Sequence, residues 1–268
     1  MKIYTKEGLI REIRAVAAEG WHRSVKETKD SRNDGAVGNT LEMLLGIKEN
    51  NLPIPNVREW ELKGQRSHTS SLTTLKHIEP SPNALKIVPN ILLPYYGWKH
   101  KQAGVKYPET EMSFRSTTSA KEFTRRGFRI LVDRNQAKVR FMFDSSKVNT
   151  SQPEVKSWLA SVGQRVGLGP FQPEPYWGFE DLRYAVGEKI KNCFYVVADS
   201  KVEGGRECFL YKKLFLLEGF SFDNFVKCLE VGVVLVDFDA RTGHNHGTKF
   251  RIKQGYWRSL YSEVEGVM

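Results

Sequence analysis

Between residues 176 and 238 the chain alternates apolar runs of strand length with helical patterns, which restricts it to an α/β arrangement of helices packed on a sheet. The runs are Cys193 to Ala198, Phe209 to Leu216 and Val233 to Phe238, each short enough for a buried strand. A helix opens at Tyr176 and runs to about Lys189; a second, capped by Ser221, covers Phe222 to Glu230. Trp177 and Phe179 read as core or interface packing rather than as a recognition element. A further amphipathic helix is predicted over Lys6 to Ala18, where Leu9, Ile10, Ile13, Val16 and Ala17 recur near helical spacing. With 268 residues there is material for one large domain or two closely joined lobes.

The middle of the chain breaks this rhythm. Pro80, Pro82, Pro89, Pro94 and Pro108 interrupt it, and Tyr95, Tyr96, Trp98 and Tyr107 are interleaved with Lys99, His100, Lys101 and Lys106. Such interleaving suits a nucleic-acid groove and equally an exposed loop whose aromatics fold back on the core. Arg125 and Arg126 precede a strand, Phe128 to Val132, and Val139 to Phe143 alternates and pairs with it.

Chemistry concentrates first between Pro55 and Lys63. Glu61, Leu62 and Lys63 place a carboxylate and an ammonium two residues apart, on one face of a strand. Mg²⁺ prefers carboxylate oxygens and keeps several waters, and a lysine beside it can orient a water or stabilise developing negative charge. Many nucleases complete such a site with an aspartate after an upstream proline. Here Pro55 is followed by Asn56, whose amide oxygen carries no formal charge. Arg58 to Lys63 and Ser71 to Leu75 read as two strands of one active-site sheet, joined by a basic turn through Lys63, Gln65 and Arg66. Asn39 or Thr40 caps a helix, Leu41 to Ile47, that carries Glu42.

Charge agrees with a polyanionic partner: 41 Lys and Arg against 31 Asp and Glu give a formal charge of +10. No stretch is long and apolar enough to span a bilayer, and the first residues lack a signal-peptide apolar region. The three cysteines, Cys193, Cys208 and Cys228, are an odd number without metal spacing and fit a reduced, cytoplasmic protein.

Several segments carry a family resemblance. They are Gly20 to His22, Asp34 to Ile47, Glu49 to Asn51, Gln65 and Arg66, Leu72 to Leu75, His77, and Thr242 to Arg251. Together with the Pro55 to Lys63 motif, in this order, the set resembles the MvaI/BcnI family of Type II restriction endonucleases, similar in core fold to the mismatch-repair nicking enzyme MutH. The middle, about 87 to 156, matches less well. The resemblance implies a PD-(D/E)XK core, a mixed central sheet flanked by helices, with two lobes forming a DNA-binding cleft. It implies a catalytic lobe of about 1–85 plus parts of 155–230, and a recognition lobe of about 86–154 and 232–255. It also implies a monomer that uses Mg²⁺, with Mn²⁺ able to substitute, and cuts the strands of a short GC-rich site in sequence to leave 5′-phosphates. Its partners are double-stranded DNA and, genetically, a cognate methyltransferase.

The resemblance assigns roles by position. Glu61 and Asn56 fall at the metal, Lys63 at the attacking water, and Glu42 near the metal as an assisting acid. The glycine-punctuated loop near the C-terminus holds Asp237, Asp239, Arg241, His244, His246 and Arg251; arginine can bond guanine bidentately and aspartate can accept from cytosine amino groups. By carry-over these six, with Arg66 and His77, are the expected DNA contacts, His77 and His244 near the centre of the target. The uncharged Asn56 keeps two other readings open: a catalytically inactive DNA-binding protein, natural or engineered, and a MutH-like nickase.

Overall fold

The computed structural model describes residues 4–26, 35–47, 59–67 and 70–268. In chain order they form α1 (Lys6–Ala18), β1 (His22–Arg23), α2 (Ala36–Leu44), β2 (Trp60–Arg66), β3 (Leu72–His77), α3 (Leu93–Tyr96), β4 (Trp98–Lys99), β5 (Met112–Thr118), β6 (Arg126–Asp133) and β7 (Lys138–Val148). There follow α4 (Pro153–Val166), β8 (Tyr176–Gly178), α5 (Phe179–Ile190), β9 (Asn192–Glu203), β10 (Arg206–Phe220), α6 (Phe222–Glu230), β11 (Val234–Arg241), β12 (His244–Lys253) and β13 (Tyr261–Gly266). The chain divides into two compact units, one of residues 1–71, 186–222 and 254–268, the other of 72–185 and 223–253. No described helix is long and apolar enough to cross a membrane.

The first unit is built on a mixed sheet in the order β1-β10-β9-β2, with β13 on β10. β9 and β10 are antiparallel, whereas β2 runs parallel to β9, Glu61 opposite Cys193 and Lys63 opposite Tyr195. α1 buries Leu9, Ile13 and Val16, as its spacing predicts, and Thr5 caps it by accepting from the Gly8 N–H. These side chains join Val37 and Leu41 of α2, Leu62 of β2, Phe194 and Val196 of β9, and Phe209 and Leu214 of β10 in one core. The three cysteines are free and buried.

α2 meets β2 backbone to backbone. A Cβ placed on Gly64 would stand 2.8 Å from the Gly38 Cα and 2.9 Å from its nitrogen, so only glycine at 64 allows the helix this close. The helix starts at Ala36, earlier than the expected Leu41. Thr40, expected as a cap, lies inside it, donating to the Ala36 carbonyl and accepting from the Val25 N–H.

The second unit holds two sheets, β3-β12-β11-β5-β4 and β6-β7-β8. Its core is aromatic: Phe114, Phe128, Phe141, Phe171 and Phe238 form a continuous chain of ring contacts. Trp177 packs edge-on against Phe250 and donates its indole N–H to the Ile78 carbonyl, a core role as expected. α4, which the sequence reading did not anticipate, starts with Pro153 in its first turn and buries Val155, Trp158 and Val162.

Two expectations are overturned. β2 and β3 belong to different sheets, and the anticipated basic turn between them is strand as far as Arg66, because β2 pairs with β9 through Ala198. The expected C-terminal loop is a hairpin. Val236, Phe238 and Ala240 alternate into the core on β11, as do Phe250 and Ile252 on β12, and Thr242 and Gly243 make a two-residue turn in which Gly243 takes φ +68°. The helix expected from Tyr176 begins at Phe179, after the short strand β8.

The close approach of α2 gives a paired test. Gly64→Ala is expected to destabilise the protein by about 1–3 kcal/mol, because backbone must move to admit the methyl. A Cβ on Gly38 meets only the Gly64 nitrogen at 3.7 Å, so Gly38→Ala should be neutral or stabilise by up to about 1 kcal/mol. Urea unfolding of the two variants checks this; equal stabilities would refute the backbone contact.

Candidate active site and nucleic-acid interface

Within the first unit, β2 carries the Glu61 and Lys63 pair that the two-residue period predicts. Glu61 is 2% exposed. Its Oε1 accepts from Lys63 Nζ at 2.7 Å, while its Oε2 is buried and has no hydrogen-bond donor. Lys189 Nζ, from the last turn of α5, lies 3.4 Å from Oε2, an ion-pair distance without a directed hydrogen bond. Both ammonium groups are only partly exposed, Lys63 at 21% and Lys189 at 16%. One carboxylate thus sits between two cations where little water can screen them, an arrangement that tolerates the burial of Glu61.

A divalent cation fits this arrangement through one atom. Glu61 Oε2 is a buried carboxylate oxygen with acceptor capacity unspent, and Mg²⁺ commonly takes one or two protein carboxylates and fills the rest of its shell with water. Among the described residues no group of three His, Cys, Asp or Glu side chains gathers as a ready cage. Asn56, expected at the first metal position, lies outside the described residues, as do Pro55, Asp34 and Arg58. Glu42 is half-buried on α2, one turn beyond the Gly38 contact with β2.

Arg66 departs from expectation. It is 2% exposed, and its Nε and Nη2 donate to the two carboxylate oxygens of Glu207, each at 2.6 Å. Its guanidinium also lies 5.3 Å from the Phe209 ring centre. Continuation of β2 through residue 66 carries this side chain into the unit's interior, where Glu207 engages it bidentately.

The second unit gathers the other candidates on one face of the β3-β12-β11-β5 sheet. Asp237, Asp239 and Arg241 lie two residues apart on β11, opposite the buried Val236, Phe238 and Ala240. Asp237 Oδ1 accepts from Thr117 Oγ1 at 2.8 Å, and its Oδ2 from Arg251 Nη1 at 3.2 Å. Arg251 Nη2 donates to the Leu72 carbonyl, leaving its Nε buried without an acceptor. Asp239 Oδ1 lies 2.8 Å from Arg115 Nε but makes no directed hydrogen bond, and its Oδ2 accepts from Lys249 Nζ at 3.4 Å. Arg241 donates to the buried Glu111 at 3.0 Å and stacks 4.7 Å from the Tyr107 ring centre.

The histidines sit around the same hairpin. His77 of β3 pairs in register with Lys249 of β12, and the His244 and His246 rings meet edge to face at 4.2 Å. Burial, then Lys249, lowers the His77 pKa against the opposing pull of Glu79; burial also lowers that of His246. Both imidazoles are therefore neutral at pH 7, each with one ring nitrogen able to accept and one able to donate. Glu79 anchors the turn by accepting from the Thr248 N–H and hydroxyl and from the Asn245 amide.

Local sequence gave no signal for Lys189, Arg115, Thr117, Lys249 or Glu79. Lys189 reaches Glu61 because α5 ends where β9 begins, and β9 is the parallel neighbour of β2. Arg115, Thr117 and Lys249 were visible only as charged or polar residues of strands, and the register that brings them to Asp237 and Asp239 is a property of the sheet.

The comparisons with known proteins converge. No curated protein matches the chain. A solved structure titled "Restriction endonuclease MvaI-cognate DNA substrate complex" superposes with a TM-score of 0.74 at 21% identity, covering 99% of this chain and 100% of that one. A second, "Restriction endonuclease MvaI in the absence of DNA", gives 0.52 at 22% identity with both chains fully covered. Likeness at this identity establishes a shared fold, the restriction-endonuclease-like α/β core that the motifs imply. The sequence profile of the MvaI/BcnI restriction endonucleases matches residues 10–261, nearly the whole chain. This protein belongs to the MvaI/BcnI restriction endonuclease family.

Proposed function

We propose that this family member is a sequence-specific, divalent-metal-dependent endonuclease that cuts both strands of duplex DNA, as a monomer and with a cognate methyltransferase as its genetic partner. The observation that carries the reading is the buried Glu61 carboxylate, with one oxygen bonded to Lys63 and the other without a hydrogen-bond donor. In this reading Glu61 and Asn56 hold Mg²⁺ or Mn²⁺, Glu61 through Oε2. The bound cation supplies Lewis-acid polarisation of the scissile phosphate and a more acidic water. Lys63 Nζ, now donating to Glu61, turns to the phosphate oxygens and stabilises the charge that grows on them as water attacks. Glu42 assists from α2.

The second unit supplies recognition in this proposal. Asp237, Asp239, Arg241, His244, His246, Arg251 and His77 read base edges, and Arg115 and Lys249 release the carboxylates as bases arrive. The unspent acceptor at Asp239 Oδ1 and the unspent donor at Arg251 Nε favour these two as direct readers, since a buried polar atom without a partner is costly until a ligand satisfies it.

Electrostatics favours a second reading for this form, a specific binder with weak catalysis. A neutral amide at Asn56, where the resemblance expects a carboxylate, weakens the charge balance that draws a divalent cation from water.

Plasmid and phage DNA free of methylation, incubated with the chain and with Mg²⁺ or EDTA, separates these readings. Asn56→Asp is expected to raise Mg²⁺-dependent cleavage into discrete fragments by orders of magnitude; equal rates in both forms would show that the site is completed elsewhere. In that background Lys63→Met should slow cleavage by about 10²-fold or more. Lys189→Met should lower the Mg²⁺ concentration needed for half-maximal cutting, and a loss as large as that of Lys63→Met would place Lys189 in the chemistry instead. Accumulation of nicked circles without linear product would select a nickase. Asp239→Asn should relax one position of the site by about 1–3 kcal/mol, read as cutting at sequences the parent leaves intact.

A further inference from the structure

A cavity of about 590 Å³ opens in the second unit beside β5, walled by Trp98, His100, Lys101, Arg115, Arg125 and Arg126, and none of its lining residues is acidic. Arg126 is its unusual member. The side chain is 8% exposed, and its guanidinium lies over two indoles, 4.1 Å from the Trp98 ring centre and 5.4 Å from that of Trp158. No acceptor meets its N–H donors among the described residues, and Nε is buried and unpartnered. Burial, then the charge of Arg125, lowers its pKa to about 10, with only Glu154 opposing, so the group stays charged at pH 7.

The neighbours are arranged differently. Arg115 is paired with Asp239, and Arg125 donates to Gln152. His100 Nδ1 accepts from the Gln102 N–H at 3.0 Å, which leaves Nε2 as the ring's donor. A cavity of donors and cations around a planar, pre-oriented, unsatisfied fork is complementary to a tetrahedral oxyanion, because the guanidinium edge matches two phosphate oxygens at once.

We propose that this cavity, through Arg126, binds the non-bridging oxygens of a DNA backbone phosphate. The inference rests on the duplex-binding reading above and adds a backbone anchor that reads no base. It acts on all sequences alike, and Arg126, already buried beside two tryptophans, gives up little side-chain freedom on binding.

The test is duplex affinity of the full chain in EDTA, measured on a 30-base-pair GC-rich duplex between 50 and 300 mM salt. Arg126→Gln should weaken binding about tenfold on this and on unrelated duplexes, and reduce the salt slope by about one. Arg126→Lys keeps the charge without the fork and should retain the slope while losing part of the affinity. Unchanged affinity and slope in a folded Arg126→Gln protein would overturn the proposal and leave the arginine as packing beside two tryptophans. Should that variant not fold, Lys101→Glu at the exposed mouth is read the same way: weaker binding with a shallower slope supports the site, and no change overturns it. Inorganic phosphate separates the sources. If it raises the melting temperature of the parent but not of Arg126→Gln while duplex affinity is equal, the cavity takes free phosphate and the backbone assignment falls. A parent that binds no duplex defeats the endonuclease reading as well, whereas a parent that binds while its variants are indistinguishable from it defeats only this one.

Discussion

The burial of the Glu61 carboxylate is the constraint around which the first unit is organised. An ionised group 2% exposed has to be compensated, and the compensation comes from two directions. Lys63 is local, two residues along the same strand; Lys189 arrives from α5 through the β2 and β9 pairing. The compensation is incomplete by design of the geometry, since Oε2 has a charge nearby and no hydrogen bond. An oxygen in that condition gains from a cation more than a solvated one would. The Gly38 and Gly64 contact serves the same end, because it holds α2, and with it Glu42, against the strand that carries the pair.

The second unit solves a different problem on its main sheet. One face of β11 and β12 is committed to a dense aromatic core and the other to a lattice of aspartates, arginines and lysines. The core makes the sheet rigid, and the rigid sheet fixes the spacing of the charged side chains, which is what the proposed recognition of base edges would require. The internal pairing of Asp237 with Arg251 and of Asp239 with Lys249 keeps that face from carrying uncompensated carboxylates in the free protein. In the proposed recognition role, exchange of partners, not creation of charge, would accompany binding.

Much of this was legible in the sequence wherever the physics is local. The period of α1, the apolar runs of β9, β10 and β11, the span of α6 and the shared face of Glu61 and Lys63 all follow from side-chain spacing. Strand ends did not: β9 and β10 extend into polar residues that join them in a hairpin, beyond where hydrophobicity stops. The burial of Arg66 was not legible, because it depends on Glu207, far along the chain, and nothing near residue 66 announces that partner. The C-terminal cluster looked like a loop because charges and glycines hid a strand alternation whose apolar members are Val236, Phe238 and Ala240. The family motifs gave the overall assignment, whereas Lys189 became visible only through tertiary placement; a phosphate contact at Arg126 was open in the sequence, but its burial against tryptophans was not.

The first unit is discontinuous, and that has a consequence for the order of assembly. Arg66 ends β2, yet the strand's only parallel neighbour among the described residues begins at Asn192, with residues 67–191 between them. Closing so long a loop is entropically slow unless the intervening chain is already compact. That compaction is incomplete when β9 is made, because β11 and β12, in the middle of the second unit's main sheet, follow β9 and β10 in the chain. A ribosome delivers Glu61 and Lys63 early, but their sheet cannot close until β9 and β10 have emerged. Late closure of the strand that carries Glu61 and Lys63 is a delay written into chain topology.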